Sequence, residues 1–398
     1  MKKIAAVFRD GTNYKVFLLS VFIIGLGYGI HKGLLDNYLA EIVGIGEFER
    51  GLTEFFRELP GFLLIFILAI FISFSAEKLY KLGAIIILVG MGMLAIVPPV
   101  KVLVVLAVCI CSLGEHIQLG MKSTLALSYS KEGKGGEALG LQSSSQQVGT
   151  LIGFIIVIIG FLVFAKTQPF KIFFMVAGII TAVGAFISFG MKGKSETDEN
   201  ARHFYFRKKY TKYYMLEVFY GARKQVFLTF GPYVLILFYG AKTTVISLLF
   251  AISAIASFLM APVVGKIIDR AGYKIVMIMD TLILVVVCFF YGFAHHLFPM
   301  NVAFIVCCIN YVLYAVISLA SMAASVYVQD ISDNMQEVKA TLSTGISVNH
   351  LITLAIALFG GWIWQKVGIE TLFIISAVLG LCNSAYAATI KTRSQTTN

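Results

Sequence analysis

The feature that most constrains this chain is the recurrence of apolar blocks about 20 to 25 residues long, each able to cross a hydrocarbon core roughly 30 Å thick as a helix. They lie near residues 15–40, 51–75, 82–98, 101–129, 137–165, 170–191, 212–240, 244–267, 274–294, 300–328, 340–366 and 370–390. Of the 398 residues 59% are hydrophobic and only 13% charged, against about 25% charged in an ordinary soluble domain. That excludes a water-soluble globule. The chain reads as an all-α membrane protein of twelve transmembrane helices. Turns as short as Pro98-Pro99 and Gly240-Ala241-Lys242 make neighbouring spans antiparallel, and an even number of spans puts both ends on one side. The basic start runs into the first block without a small-residue cleavage site, so that block is read as a retained span.

Lys and Arg are retained on the cytoplasmic face, and they divide unequally between the two sets of connections. One set holds twenty-one of them, including Lys2, Lys3, Arg9, Lys78, Lys131, Lys194, Arg202, Lys209, Lys266, Arg270 and Arg393; the other holds Lys101, Lys166, Lys171, Lys242 and Lys366. Both termini are therefore expected in the cytoplasm, and the protein in the cytoplasmic (inner) membrane. This asymmetry also accounts for the net charge of +11, so no nucleic-acid partner is expected. The longest polar stretch divides the spans six and six, which predicts a bundle over 1–191, a cytoplasmic linker over 192–211 and a second bundle over 212–398. Within it Ser195–Asn200 reads as a linker. Arg202 to Lys212, where bases mix with Phe204, Tyr205, Phe206 and Tyr210, reads either as a headgroup-level segment or as an ordinary basic connector.

The connection between spans 8 and 9 reads Gly265-Lys266-Ile267-Ile268-Asp269-Arg270-Ala271-Gly272-Tyr273-Lys274. This G-x-x-x-D-R-x-G-x-K pattern, with six-plus-six spans, resembles the hallmark loop of the major facilitator superfamily of transporters. The resemblance implies two six-helix bundles that rock about a midplane site, with this loop as a cytoplasmic latch. In the latch, Gly265 is expected to permit close helix approach, Asp269 to accept from a neighbouring helix N-terminus, Arg270 and Lys274 to pair across the halves on one side of the membrane, and Gly272 to complete the motif. The first-half loop departs from the pattern: Ser73 and Tyr80 stand for the glycines, Glu77 for the aspartate and Lys78 for the arginine. Gly114-Glu115-His116-Ile117-Gln118-Leu119-Gly120 loosely resembles the family's fourth-helix R-x-x-Q-G. Gly149 and Gly153, beside Ser143, Ser144 and Ser145, suit close helix packing without the family's antiporter motif.

A charge at mid-membrane costs about 2.5–3.5 kcal/mol on insertion scales, so ionisable residues inside spans face a cavity or a partner. Span 1 carries His31, Lys32 and Asp36; span 2 carries Arg50, Glu54, Arg57 and Glu58; span 4 carries Glu115, His116 and Lys122; span 7 carries Glu217, Arg223 and Lys224. The resemblance makes spans 1, 4 and 7 cavity-lining. Arg223 and Lys224 sit roughly 17 Å in from Lys212 at 1.5 Å per residue, with Glu217 as the nearest acid on that helix. Such bases point to an anionic cargo. Arg223, Lys224 and Lys122 are thus the expected anion contacts, with Asn349, His350 and Tyr314 as neutral hydrogen-bonding partners. Glu115 and Glu217 are the expected exchangeable carboxyls and His116 their relay. Lys32, Asp36, Glu54, Arg57 and Glu58 are expected to form a gate network, Asp280 a structural pair, and Trp362, Trp364 and His295-His296 interfacial anchors.

The expected protein is a secondary transporter, not an enzyme. It moves a small organic anion, or a zwitterion with an anionic group, by alternating access with protons as coupling ion, and acts as a monomer in the lipid bilayer. No nucleotide-binding G-x-x-x-x-G-K-[ST] occurs, and no cofactor or metal is expected: Cys109, Cys111, Cys288, Cys307, Cys308 and Cys382 fall in apolar blocks without C-x-x-C or histidine spacing. Three rivals stand beside it. An exporter of amphipathic drugs or lipids would use the 18 Tyr and 33 Phe as greasy walls, an intramembrane enzyme would use Glu115 and His116, and a solute-sensing receptor would bind without flux.

Overall fold

The computed structural model describes residues 7–8, 12–71, 74–164, 169–192 and 206–390, and all statements of structure concern these. Ser73, the charges at 2, 3, 9, 166, 194, 202, 391 and 393, and the stretch 193–205 of the expected linker lie outside the described residues. Helices follow one another as α1 Asn13–Asn37, α2 Glu47–Phe62, α3 Leu64–Ile70, α4 Ala76–Ile96, α5 Lys101–Tyr129, α6 Gly135–Val163 and α7 Phe170–Ser188. The second series is α8 Thr211–Leu237, α9 Thr243–Ala271, α10 Tyr273–Leu297, α11 Met300–Ile317, α12 Met322–Ile331, α13 Met335–Lys366 and α14 Ile369–Ala388. The sole bridge of β type among these residues joins Phe8 to Ser130.

The α2–α3 and α11–α12 pairs each fill one expected block, so twelve crossing positions result. Ten are long and apolar enough to span a membrane by composition alone. The remaining two are rich in ionisable residues: Glu47, Glu49, Arg50, Glu54, Arg57 and Glu58 in α2, and Lys212, Glu217, Arg223 and Lys224 in α8. The break at Leu63 follows Pro60-Gly61, the two residue types least suited to a helix interior. Elsewhere the boundaries have ordinary causes. Ser75 accepts from the Lys78 amide at the start of α4, Asn334 accepts from the Glu337 amide at 2.9 Å at the start of α13, and Gly272 (φ +85°) turns the chain between α9 and α10.

The residues cluster into two compact units. Unit 1 comprises Met1–Ile45, Phe56–Arg202 and Lys242–Ala251; unit 2 comprises Gly46–Phe55, His203–Ala241 and Ile252–Asn398. Each takes in a short segment from the other half of the sequence.

Unit 1 is built by close backbone approach. A Cβ on Gly25 would lie 2.6 Å from the Gln146 carbonyl, and one on Gly153 would lie 2.5 Å from the Leu26 carbonyl and 2.7 Å from the Ile30 nitrogen. With Gly29 and Gly149 they form facing small-x-x-x-small stripes on α1 and α6, and Ser145 donates to the Leu18 carbonyl at 2.9 Å. Gly83 and Gly114 bring α4 and α5 together in the same way. Gly153→Ala should therefore cost about 1–3 kcal/mol, because backbone cannot yield as a side chain can. Gly140→Ala, on the same helix with open space, should be neutral or stabilising by up to about 1 kcal/mol. Thermal unfolding of the two purified variants measures the difference.

Unit 2 fills its gaps with rings instead. Gly345 packs against Tyr213, Gly231 against Tyr311, and Phe227 stacks on Tyr314 with centroids 4.0 Å apart. Trp364 is buried and meets Phe230 edge-on, so of the two expected interfacial tryptophans only Trp362 is exposed. Arg207 pairs with Glu337 at 3.3 Å and Lys209 with Asp333 at 2.8 Å, while Tyr210 donates to Glu337. These two bases are thus committed to acids around the α12–α13 connection, and the Asp333 hydrogen bond holds the Lys209 ammonium above the usual lysine range.

Candidate functional site

The site of greatest interest is a cavity of about 180 Å³ within unit 1. Its polar lining comes from Tyr28 of α1, Arg57 of α2, Tyr80 of α4, Glu115, His116, Gln118 and Lys122 of α5, and Gln146 of α6; Val21, Ile24, Ile87 and Leu119 supply apolar wall. Residues three, four and seven apart share a helix face, so Glu115, Gln118 and Lys122 of α5 present one polar stripe. The glycine contacts of α1 with α6 and of α4 with α5 hold the helices around that stripe.

Within the cavity opposite charges stand unneutralised by direct contact. Lys122 donates to the Gln146 side-chain oxygen at 2.8 Å, and among the described residues neither Lys122 nor Glu115 belongs to an ion pair within 4.0 Å. Two turns of helix, about 10 Å along the axis, separate them. The His116 Nδ1 lies 2.8 Å from the Ser112 carbonyl, which can only accept; Nδ1 therefore carries hydrogen, and in the neutral ring Nε2 is the acceptor. Arg57 pairs with Glu58 at 2.5 Å, and the Ser112 hydroxyl donates to the Arg57 carbonyl. The arrangement offers a cation, a carboxyl and neutral hydrogen-bonding groups to one cavity.

Unit 2 holds a second polar cluster. The Asn349 amide donates to Glu217 Oε2 at 3.1 Å and accepts from Lys224 at 3.4 Å, so one side chain bridges the acid and the base. Arg223 is placed differently from expectation. It is buried and paired with the buried Asp280 of α10, with Thr281 alongside at 3.4 Å. The acid missing on α8 is thus supplied by a neighbouring helix, so the premise that Arg223 lacks an acid does not hold. Asp280 is the structural partner expected of it, reached because the long arginine side chain spans the difference in depth. Tyr314 is buried against Phe227, and the His350 carbonyl accepts from Thr353.

For the expected gate residues, Lys32 pairs with Asp36 at 3.1 Å, Arg57 with Glu58, and Glu54 with Arg50 at 2.8 Å while also accepting from Gln225 at 3.0 Å. Of the latch residues, Lys274 donates to the Ile390 carbonyl at 2.9 Å. Asp269 and Arg270 are exposed. Gly272 needs its left-handed φ, but a Cβ on Gly265 would meet nothing, so close approach is not the reason for that glycine. Arg57, Tyr28, Tyr80 and Gln146 are polar cavity residues that sequence reasoning did not assign there. A polar Ser-Ser-Ser-Gln-Gln run at 143–147 inside an apolar block was the available signal for the last.

The architecture, a succession of long apolar helices, is that of a polytopic membrane protein. A sequence model described as MFS_1, Major Facilitator Superfamily, matches residues 213–397. Among solved structures, nucleoside transporter NupG superposes with a TM-score of 0.75 at 15% identity, covering 96% of this chain and 100% of that one. A D-xylose-proton symporter gives 0.72 at 14% identity, covering 94% and 96%. A POT family transporter in complex with 5-aminolevulinic acid gives 0.72 at 14% identity, covering 94% of each. No curated protein matches the sequence. The second half of the chain thus matches the major facilitator model, and the chain as a whole shares its fold with these solved multi-pass membrane proteins.

Proposed function

We propose that this protein is a proton-coupled secondary transporter that moves a small organic anion, or a zwitterion with an anionic group, by alternating access. The carrying observation is that Lys122 and Glu115 line one cavity without an ion pair between them. Charges of opposite sign that line one cavity without direct contact are open to a mobile partner: a cargo carboxylate or phosphate meets Lys122 while Glu115 holds or releases a proton. His116, with its acceptor nitrogen, relays that proton. The Glu217–Asn349–Lys224 cluster is the corresponding polar set of unit 2, with His350 as a further candidate contact. A neighbour named as a proton symporter supports the compatibility of this fold with such coupling.

On the same reading residues 1–191 and 212–398 are the moving bundles, 192–211 joins them, and both termini lie in the cytoplasm. The cation asymmetry between connections supports that orientation. The protein works as a monomer.

Thermal-shift screening of the purified protein against carboxylates, zwitterions, phosphates, neutral sugars and cationic amphiphiles tests the reading. Ligands bearing an anionic group should stabilise it, by about 2.7 kcal/mol at a hundred times Kd. Stabilisation by cationic amphiphiles alone would instead identify an exporter of drugs or lipids.

A further inference from the structure

Away from the cavity, one cluster in unit 2 has the chemistry of a metal site. His295 and His296 lie at the end of α10, and Glu370 in the first turn of α14. Nε2 of His295 is 3.2 Å and Nε2 of His296 3.0 Å from the same oxygen, Glu370 Oε1, and one ligand atom from each residue falls within 4.8 Å of the others.

Adjacent residues on a helix leave its axis about 100° apart, so neighbouring histidines ordinarily diverge. Here their ring centroids are 3.9 Å apart and both rings reach one carboxylate oxygen. Two further features fix the arrangement. The Phe238 ring lies against His295 with centroids 4.8 Å apart. Gly368 has a φ of +125°, a backbone conformation that favours glycine, and a Cβ there would stand 2.7 Å from Glu370 Oε2, so the carboxylate would have to shift to admit a side chain.

We propose that His295, His296 and Glu370 bind a divalent transition-metal ion of the zinc class, tying the end of α10 to the start of α14. Zinc takes imidazole nitrogen at about 2.0–2.1 Å and carboxylate oxygen at about 2.0–2.2 Å, which places tetrahedral ligand atoms roughly 3.3 Å apart. The observed nitrogen-to-oxygen separations of 3.2 and 3.0 Å are close to that edge. Two imidazoles and a carboxylate form a donor set suited to zinc, cobalt or nickel, and solvent supplies the fourth position. His296 is exposed, so an ion enters from the medium. Sequence spacing misses the site because Glu370 lies 74 positions from His296. The proposal is independent of the transport reading.

The test uses the full-length, tag-free protein in detergent, titrated with ZnCl2 and with CoCl2 against an EDTA-treated control. The expected result is one ion per chain and a visible Co2+ absorption displaced by Zn2+. His296→Gln and Glu370→Gln should each weaken zinc binding by about tenfold or more, the least expected when a metal's support is removed. In the unaltered protein, Zn2+ should also protect His296 from diethyl pyrocarbonate, read by mass spectrometry, which needs no variant to fold. Absence of saturable binding, binding unchanged in both variants, or modification of His296 unaffected by Zn2+ would each overturn the proposal.

Discussion

Replacing Arg223 alone with methionine is expected to destabilise the protein by about 3–5 kcal/mol, the largest loss of any single substitution considered, because it leaves the buried Asp280 carboxylate without its cation. The double variant Arg223→Met/Asp280→Leu should recover most of that loss, since a well-packed apolar pair of similar volume often matches a buried ion pair. Differential scanning fluorimetry on the wild type, both single variants and the double variant supplies the cycle. A cargo contact would behave in the opposite way: Arg223→Met would leave the fold intact and abolish binding. Single and double variants of equal stability would remove Arg223 from its structural role.

The second large effect concerns coupling. Glu115 lies in the cavity without a direct ionic partner among the described residues, so Glu115→Gln keeps the shape of the site and removes the exchangeable proton. In proteoliposomes, uptake driven by an imposed proton gradient should fall to background, whereas exchange of labelled for unlabelled cargo at equal concentrations should persist. Loss of both activities would make Glu115 a cargo contact; retention of both would place the coupling carboxyl elsewhere, with Glu217 the remaining candidate.

The fold was legible in the sequence because membrane crossing imposes a length and a composition that no packing detail can override. Even the two charge-rich crossings, α2 and α8, fell within expected blocks. Depth along a helix is also legible, and it groups Glu115, His116 and Lys122 on one span, all of them lining the cavity of unit 1. What sequence spacing cannot give is the rotation of a helix about its axis and the identity of the helix opposite. Arg223 seemed to lack an acid because only its own helix was counted, while Asp280 belongs to α10, 57 positions away. Arg57 was grouped with the gate residues of its own helix, although the structure turns it toward the cavity. Gly265 illustrates the converse: a motif residue matched to a family pattern need not serve the packing role a glycine usually suggests.

The proposed function requires an anionic group of the cargo to meet Lys122, and one titration examines that contact directly. The best-stabilising acid and its uncharged methyl ester are titrated by calorimetry into wild type and into Lys122→Gln. A charge-assisted hydrogen bond contributes about 1.5–3 kcal/mol, so the wild type should prefer the acid by roughly ten- to a hundredfold and the variant should lose that preference. A Lys122→Gln protein that still distinguishes acid from ester as strongly as the wild type would contradict the assignment.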